Sequence, residues 1–253
     1  LGLGQPFDIH TGGIDLIFPH HENEIAQSTA GRSDSRYANI FMHSEHILVD
    51  DKKMSKSSGN FYTLADLIAK NIDPLAFRLL VLQSHYSKST NFSLENVEAA
   101  HNRLHHWRNV AALRWQTYDT LHDDNTPSDD DHMIYLYAAS QAMLEALNDN
   151  LNTPAALAVI DEAFGKLLHK PLATVHQTGL EQLLESIDSR LGLQLLASTP
   201  DISDEAKRLI LERQRARDNK DWTRSDELRE QLSKQGIAIR DTTAGSIWEY
   251  TPK

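Results

Sequence analysis

The sequence predicts an α/β segment at its N-terminal end, an α-helical bundle in the middle and a small α+β unit at its C-terminal end. Three observations carry this. Short apolar runs broken by glycine fill residues 1–60, apolar stripes at three-and-four spacing occupy 61–198, and a charged helical hairpin with two short strands fills 199–253. Hydrophobic residues make up 40% of the chain and charged ones 24%, ordinary values for a globular chain with material for two or three domains.

In the first segment, "PFDIHTGGIDLIF" reads as a strand, a glycine-rich turn and the approach to a helix. Pro19 is placed to begin that helix, because a first helical residue has no N–H to lose, and the helix is expected to run through Ile25. "NIFMHSEHILVDDKKMSKSSGN" reads as one or two short strands and a polar loop, and strands separated by a helix suggest an α/β sheet. Further on, Thr63 with Asp66 resembles a capping box, and Asp73 before Pro74 is a good helix start. Ala100, Leu104, Trp107, Ala111, Trp115, Tyr118 and Leu121 form one stripe, so a long helix is expected over 94–121. An acidic break at 122–132 precedes a second helix carrying Met133, Leu136, Tyr137, Ser140, Leu144, Leu147 and Leu151. "NTP" at 152–154 starts a third with Leu157, Ile160, Phe164, Leu167 and Leu168, and a shorter one carries Leu180, Leu183, Leu184, Ile187 and Leu191. After "LASTPDIS" comes a charged hairpin whose second helix Gly236 is placed to end, then two short strands around a turn in "AIRDTTAGSIWEY".

A formal charge of −11 argues against nucleic-acid binding through bulk positive potential, although a local basic groove is compatible with it. No apolar run approaches the roughly 20 residues of a membrane span, and residues 1–30 lack the pattern of a signal peptide, so no membrane partner is expected. Cysteine is absent, which fits a reducing, cytoplasmic setting. A metal site must therefore use His, Asp and Glu, or take thiolates from outside the chain.

Two motifs carry chemistry. In "PHHENE", helical spacing puts His20 and Glu24 on one face, and both are competent zinc ligands, but two ligands are fewer than zinc takes. A solvated polar helix start and a metal half-site both remain open on this segment alone. In "KMSKS", Lys53 and Lys56 stand three apart in a small loop followed by Gly59, an arrangement that can place two ammonium groups on one polyphosphate.

The second motif resembles the signature loop of the class I aminoacyl-tRNA synthetases, whose nucleotide-binding domain is a Rossmann-type α/β fold. Together with "FDIHTGGIDLIFPHHENEIAQS", "DPLAFRLLVLQSHY", "LNTPAALAVI" and "KDWTRSDELREQL", it closely resembles the cysteinyl-tRNA synthetases across essentially the whole chain. The resemblance implies ATP-dependent activation of cysteine to cysteinyl-adenylate and transfer to tRNA(Cys), with magnesium accompanying the ATP. It implies one zinc held by His20, Glu24 and two upstream cysteines, and gripping the substrate thiolate. Gly12, Gly13 and Asp15 would hold the adenosine, Lys56 and Lys53 the phosphates, and His10 would shape the cysteine pocket. The implied parts are a partial Rossmann-type catalytic domain over 1–60, a stem-contact and helical-bundle region over 61–198 and an anticodon-recognition domain over 199–253. A monomer is expected.

The departure from the family pattern is that both zinc cysteines and any "HIGH"-like motif are missing, and the chain starts at Leu1. The expectation is an inactive fragment without the first half of the catalytic domain. A related ligase that joins cysteine to an amino sugar, and a non-catalytic tRNA-binding module, are the alternatives. His101, His105 and His106 have helical spacing for a second metal site but no acidic partner in sequence, and a solvated helix face is favoured. His43 and His46 receive no functional assignment. Arg213, Arg215, Arg217, Lys220 and Arg224 interleave with acids, as on a salt-bridged solvent face; the resemblance makes them part of an anticodon module, with Trp222 and Trp248 expected to pack in its core.

Overall fold

A computed structural model of the protein describes residues 4–31, 36–53, 62–116, 130–168, 177–242 and 245–251. Strand β1 (Phe7–Gly13) pairs in parallel with β2 (Ala38–Ser44). Parallel strands need a crossover, and α1 (Glu22–Thr29) lies in it, so the expected α/β unit is present. Regular helix begins later than Pro19. Phe18 is extended (φ −132°, ψ 133°) and interrupts a wide turn over Ile17–His21, so α1 settles into its ladder only at Glu22.

A second small sheet follows. β3 (Ile47–Val49) pairs antiparallel with β4 (Lys52–Lys53) and parallel with β5 (Thr90–Phe92). Asp50 and Asp51, at φ 48° and 59°, make the tight turn between β3 and β4, a conformation that Asp tolerates better than most side chains. Of the KMSKS loop, only the backbone of Lys53 falls in β4; Lys56 lies outside the described residues.

Between β4 and β5 lie α2 (Leu64–Ala69) and α3 (Pro74–Leu82). Thr63 and Asp66 form the reciprocal capping box, and the Asp73 carboxylate accepts from the Leu75 N–H at 2.8 Å. Leu67, Ile72, Ala76 and Leu80 bury against Val49 and Phe92 of the sheet.

Helix α4 (Leu94–Ala111) buries Val97, Ala100, Leu104, Trp107 and Val110. It is shorter than the expected 94–121 helix, since the α-helical ladder stops at Ala111 and one 3₁₀ turn runs to Trp115. Tyr118 and Leu121 lie outside the described residues. Helix α5 (Asp130–Asn148) packs against α6 (Thr153–Leu168) and α7 (Gln177–Leu191), which themselves pack against α4, so that the four helices enclose the main core. At its centre Trp107 meets Phe164 edge-to-face at 5.7 Å and donates its indole N–H to Asp161 at 2.8 Å. The α5 stripe is not the one that large residues suggested. Tyr137 and Leu151 are 61% and 48% exposed, while Leu136, Ala139 and Met143 face inward. Small Ala139 sits on the face that α5 turns to the core, where bulk is set by the packing of neighbours rather than by hydrophobicity alone.

Helices α8 (Asp204–Asp218) and α9 (Trp222–Lys234) form an antiparallel pair, and Gly236, at φ +79°, turns the chain into the hairpin of β6 (Ile237–Thr242) and β7 (Gly245–Tyr250). Trp248 packs in this core with Ile210, Leu232 and Ile239. Trp222 does not: it is 57% exposed, because it opens α9 and has no preceding helical turn to cover it. Its ring lies 5.8 Å from the Arg217 guanidinium.

The hairpin is tied to α8 by the buried Arg213, which grips Asp241 with two bonds of 3.1 and 2.9 Å, while Arg217 approaches the same carboxylate at 3.1 Å. The Arg213 bond, aided by the Ser246 hydroxyl and Arg217, holds the Asp241 carboxyl well below the usual carboxylate range. A depressed acid contributes stability that is complete above its unfolded value, about 3.9, and is lost as pH falls through the folded one. Urea midpoints between pH 6 and pH 2 should therefore fall more steeply for the parent chain than for Asp241→Asn. Parallel slopes would refute this role.

Candidate active site

The ends of β1 and β2 set the site. In open α/β sheets, ligands bind beyond the carboxyl ends of parallel strands, and here those ends are Gly12, Gly13, His43 and Ser44, with Gly12 opposite His43 in the register. Both glycines are there for space. A Cβ on Gly12 would lie 2.7 Å from Cε1 of His21, and one on Gly13 would lie 2.4 Å from Oδ1 of Asp15. Asp15 thus folds back over the turn, and its Oδ1 lies 3.6 Å from His46 Nε2.

Alternation along β1 turns His10 inward, where its ring packs on Tyr37 and Phe41 at 5.2 and 5.6 Å between centroids. Its Nε2–H donates to Glu24 Oε2 at 2.9 Å. The other oxygen of Glu24 lies 3.4 Å from His20 Nε2, as one-turn spacing on a helical backbone allows. One carboxylate is therefore held between two imidazoles. Burial, with Glu24 next to it, pushes the Tyr37 phenol above its ordinary value, so it remains a hydroxyl at neutral pH.

His21 occupies the floor. It is 4% exposed, its ring lies 4.5 Å from that of His10 at a 60° tilt, and its Nδ1 shares a 2.8 Å hydrogen bond with His43 Nε2. Burial first, then the neighbouring His10 and His43, lowers the His21 pKa, which favours its neutral ring. Donor atoms of His10, His21 and Glu24 all fall within 4.8 Å of one another.

The tight set thus differs from the pair singled out in the sequence. His20 reaches Glu24 but is largely exposed, whereas His21, given no role on sequence grounds, is central. His43 also belongs here. Period-two alternation puts it on the same face of β2 as Phe41, but only the parallel pairing with β1 brings it to His21. The structure brings His10, Gly12, Gly13, Asp15, His20 and Glu24 to one end of one βαβ unit. The Lys53 side chain and Lys56 lie outside the described residues.

Residues 2–102 match the family of class I (C) tRNA synthetase catalytic domains, and residues 199–248 match the cysteinyl-tRNA ligase anticodon binding domain. The cysteine–tRNA ligase of Leptospira interrogans is 39% identical over 258 aligned positions, covering 97% of this chain and 53% of that protein. Those of Protochlamydia amoebophila and Hydrogenovibrio crunogenus are each 38% identical, covering 96% and 97% of this chain and 51% and 52% of theirs. The chain spans about half the length of the curated relatives it matches. In three dimensions it is similar to the LeuRS of Agrobacterium radiobacter in a ternary complex with tRNA and LeuAMS, with a TM-score of 0.56, 17% identity, and coverage of 78% of this chain and 28% of that one. A likeness at that identity speaks for the fold alone. With catalytic and anticodon-binding matches at its two ends and cysteine–tRNA ligases similar along nearly its whole length, the chain belongs to the cysteinyl-tRNA synthetases of class I.

Proposed function

We propose that this chain contributes the KMSKS-bearing and tRNA-binding portion of an enzyme that activates cysteine with ATP and charges tRNA(Cys). The observation that carries the reading is the Glu24 carboxylate held between His10 and His20 beside the Gly12–Gly13–Asp15 turn. In activation, a carboxylate oxygen of cysteine attacks the α-phosphorus of ATP, and pyrophosphate leaves with the bond pair. A hydroxyl of the terminal adenosine of the tRNA then takes the acyl group, releasing AMP. Asp15 accepts from the ribose, the glycines let the backbone approach the nucleotide, and Lys53 and Lys56 offset the charge growing on the magnesium-bound phosphates. His10 and His21 line the cysteine pocket.

The residues fit zinc. Two ligands about 2.0–2.1 Å from a tetrahedral zinc lie about 3.3 Å apart. His20 Nε2 and Glu24 Oε1 are separated by 3.4 Å. Two thiolates would complete the site, and this chain contains no cysteine. The ion, when bound, would supply a borderline Lewis acid that takes a soft thiolate in preference to a hydroxyl.

The anticodon-domain match of residues 199–248 favours tRNA over an amino sugar as acceptor, and the built catalytic-end site favours an enzyme over a binding module alone. A monomer in the cytoplasm, divided at 60/61 and 198/199, goes with this reading. Among the described residues no helix is long and apolar enough to cross a membrane. The chain alone is expected to give no cysteine-dependent ATP–pyrophosphate exchange. A chimera in which it replaces the matching portion of the Leptospira interrogans ligase is expected to charge tRNA(Cys). A chimera that folds, by circular dichroism and thermal melting, yet charges no tRNA would overturn the proposal.

A further inference from the structure

Away from that site, a cleft of about 650 Å³ opens where α3, α4, the segment at 198–200 and the end of β7 meet. His101, His105 and Arg108, at positions i, i+4 and i+7 of α4, line it together with Asp73, Ser198 and Tyr250. Hydrogen bonds fix the protons of both imidazoles. The Asp73 backbone N–H donates to His101 Nδ1 at 3.2 Å, so the ring proton of neutral His101 is on Nε2. The Tyr250 N–H donates to Asn109 Oδ1 at 3.1 Å, which fixes the Asn109 amide and leaves its NH₂ 3.3 Å from His105 Nε2. That nitrogen of His105 accepts, and its Nδ1 carries the proton.

The tautomers disfavour a second metal. His101 Nε2 and His105 Nδ1, the ring nitrogens left over, are N–H donors and offer no lone pair to a cation. Arg108 adds a third donor. Its Nε and Nη2 bind Ser198 Oγ at 3.0 Å and Asp73 Oδ2 at 2.7 Å, and among the described residues Nη1 has no partner. Asp73 and, beside His105, Glu249 are the acids near this group, and both are already engaged, Glu249 by Arg240 at 2.9 Å. Asp73 accepts from Leu75 N–H and Arg108, and its pKa is lowered, with those two bonds outweighing burial. In a chain with a formal charge of −11, the cleft is left with donors and little to receive them.

We propose that this cleft binds a phosphate group, whose oxygens accept from His101 Nε2–H, His105 Nδ1–H and the Arg108 guanidinium. The group joins elements of all three cores, so an occupied cleft fastens the C-terminal hairpin to α3 and α4. Its source is either a free phosphate or phosphomonoester, or the backbone of a bound RNA. The inference does not rest on the synthetase reading.

The test is histidine-selective ¹H–¹⁵N NMR of the full chain, titrated in separate arms with inorganic phosphate and with a tRNA transcript, with sulfate-free chloride buffer as blank. Saturable shifts of the His101 and His105 ring signals are expected in at least one arm, and the arm that gives them names the source. His101→Leu/His105→Leu is expected to weaken that binding about tenfold or more, by removing two donors. His101→Gln/His105→Gln, which restores a donor at each position, should recover part of it. Circular dichroism and the ligand-free melting temperature establish that the variants fold. No saturable shift in either arm, or unchanged phosphate affinity in a folded leucine variant, overturns the inference. Loss of tRNA charging with these shifts intact would count against the proposed function and not against the phosphate site.

Discussion

Glu24→Gln is expected to lower cysteine-dependent pyrophosphate exchange by the completed chimera more than about a hundredfold in kcat/KM for cysteine. Glutamine keeps the shape of the side chain but loses its charge. It is a poor zinc ligand, and it cannot accept from His10 and ligate a cation as one carboxylate does. A hundredfold corresponds to about 2.7 kcal/mol of lost transition-state stabilisation. The KM for ATP should change little, because the proposed nucleotide contacts lie in the Gly12–Gly13–Asp15 turn and at Lys53 and Lys56, not at Glu24. Zinc content, measured on the same preparation, should fall with activity. Stability should move by less than about 1 kcal/mol, since Glu24 is partly exposed. A folded variant that retains kcat/KM for cysteine within threefold would remove Glu24 from the mechanism.

Arg114→Ala is expected to be the most destabilising single change, at about 3–5 kcal/mol. Arg114 is 3% exposed and, among the described residues, binds no carboxylate. Its Nη1 donates to Ala111 O at 2.9 Å and Thr199 Oγ1 at 2.7 Å, and its Nη2 to Leu196 O at 3.2 Å and Thr199 O at 2.6 Å. Trp115 reinforces the same carbonyl, donating from Nε1 to Thr199 O at 3.0 Å, and its ring lies 4.6 Å from the guanidinium. One side chain thus satisfies carbonyls at the end of α4 and in the connection to the C-terminal unit. Alanine leaves these acceptors in a buried space too tight to hydrate them well. Arg114→Met separates the two contributions: it keeps the apolar stem but not the donors, and should lie between the parent and the alanine variant. Urea unfolding reads both, and an alanine variant within 1 kcal/mol of the parent would show that the network is dispensable.

The two arginines show why some of this molecule was legible and some was not. Arg213 was recognised among interleaved charges and expected on a solvated face or against RNA, yet it is buried on Asp241 across 28 positions of sequence. Arg114 was not singled out, because nothing in its neighbours announces Thr199, which is 85 positions away. By contrast, the capping box of Thr63 and Asp66, the start at Asp73–Pro74 and the stripes of α6 and α7 are settled within one or two turns of chain. Those features need only local spacing, and the sequence contains it.

The site divides in the same way. His20 and Glu24 were paired by the 3.6-residue period, and Gly12, Gly13 and Asp15 by adjacency in a turn, so each could be named from sequence and from the family resemblance. That His10 reaches Glu24 depends on β1 lying across α1, and that His21 meets His43 depends on a parallel register with no tight turn to fix it. The burial of Trp248 and exposure of Trp222 likewise followed from which faces the neighbouring elements cover. The sequence by itself determined the local elements, the ligand-competent residue types and the lack of thiolates. Only the tertiary structure decided which imidazoles share a carboxylate, which arginines are buried and which donors are left facing a cleft. Backbone periodicity is encoded over a few residues, whereas proximity between distant ones is set by how buried faces pack together.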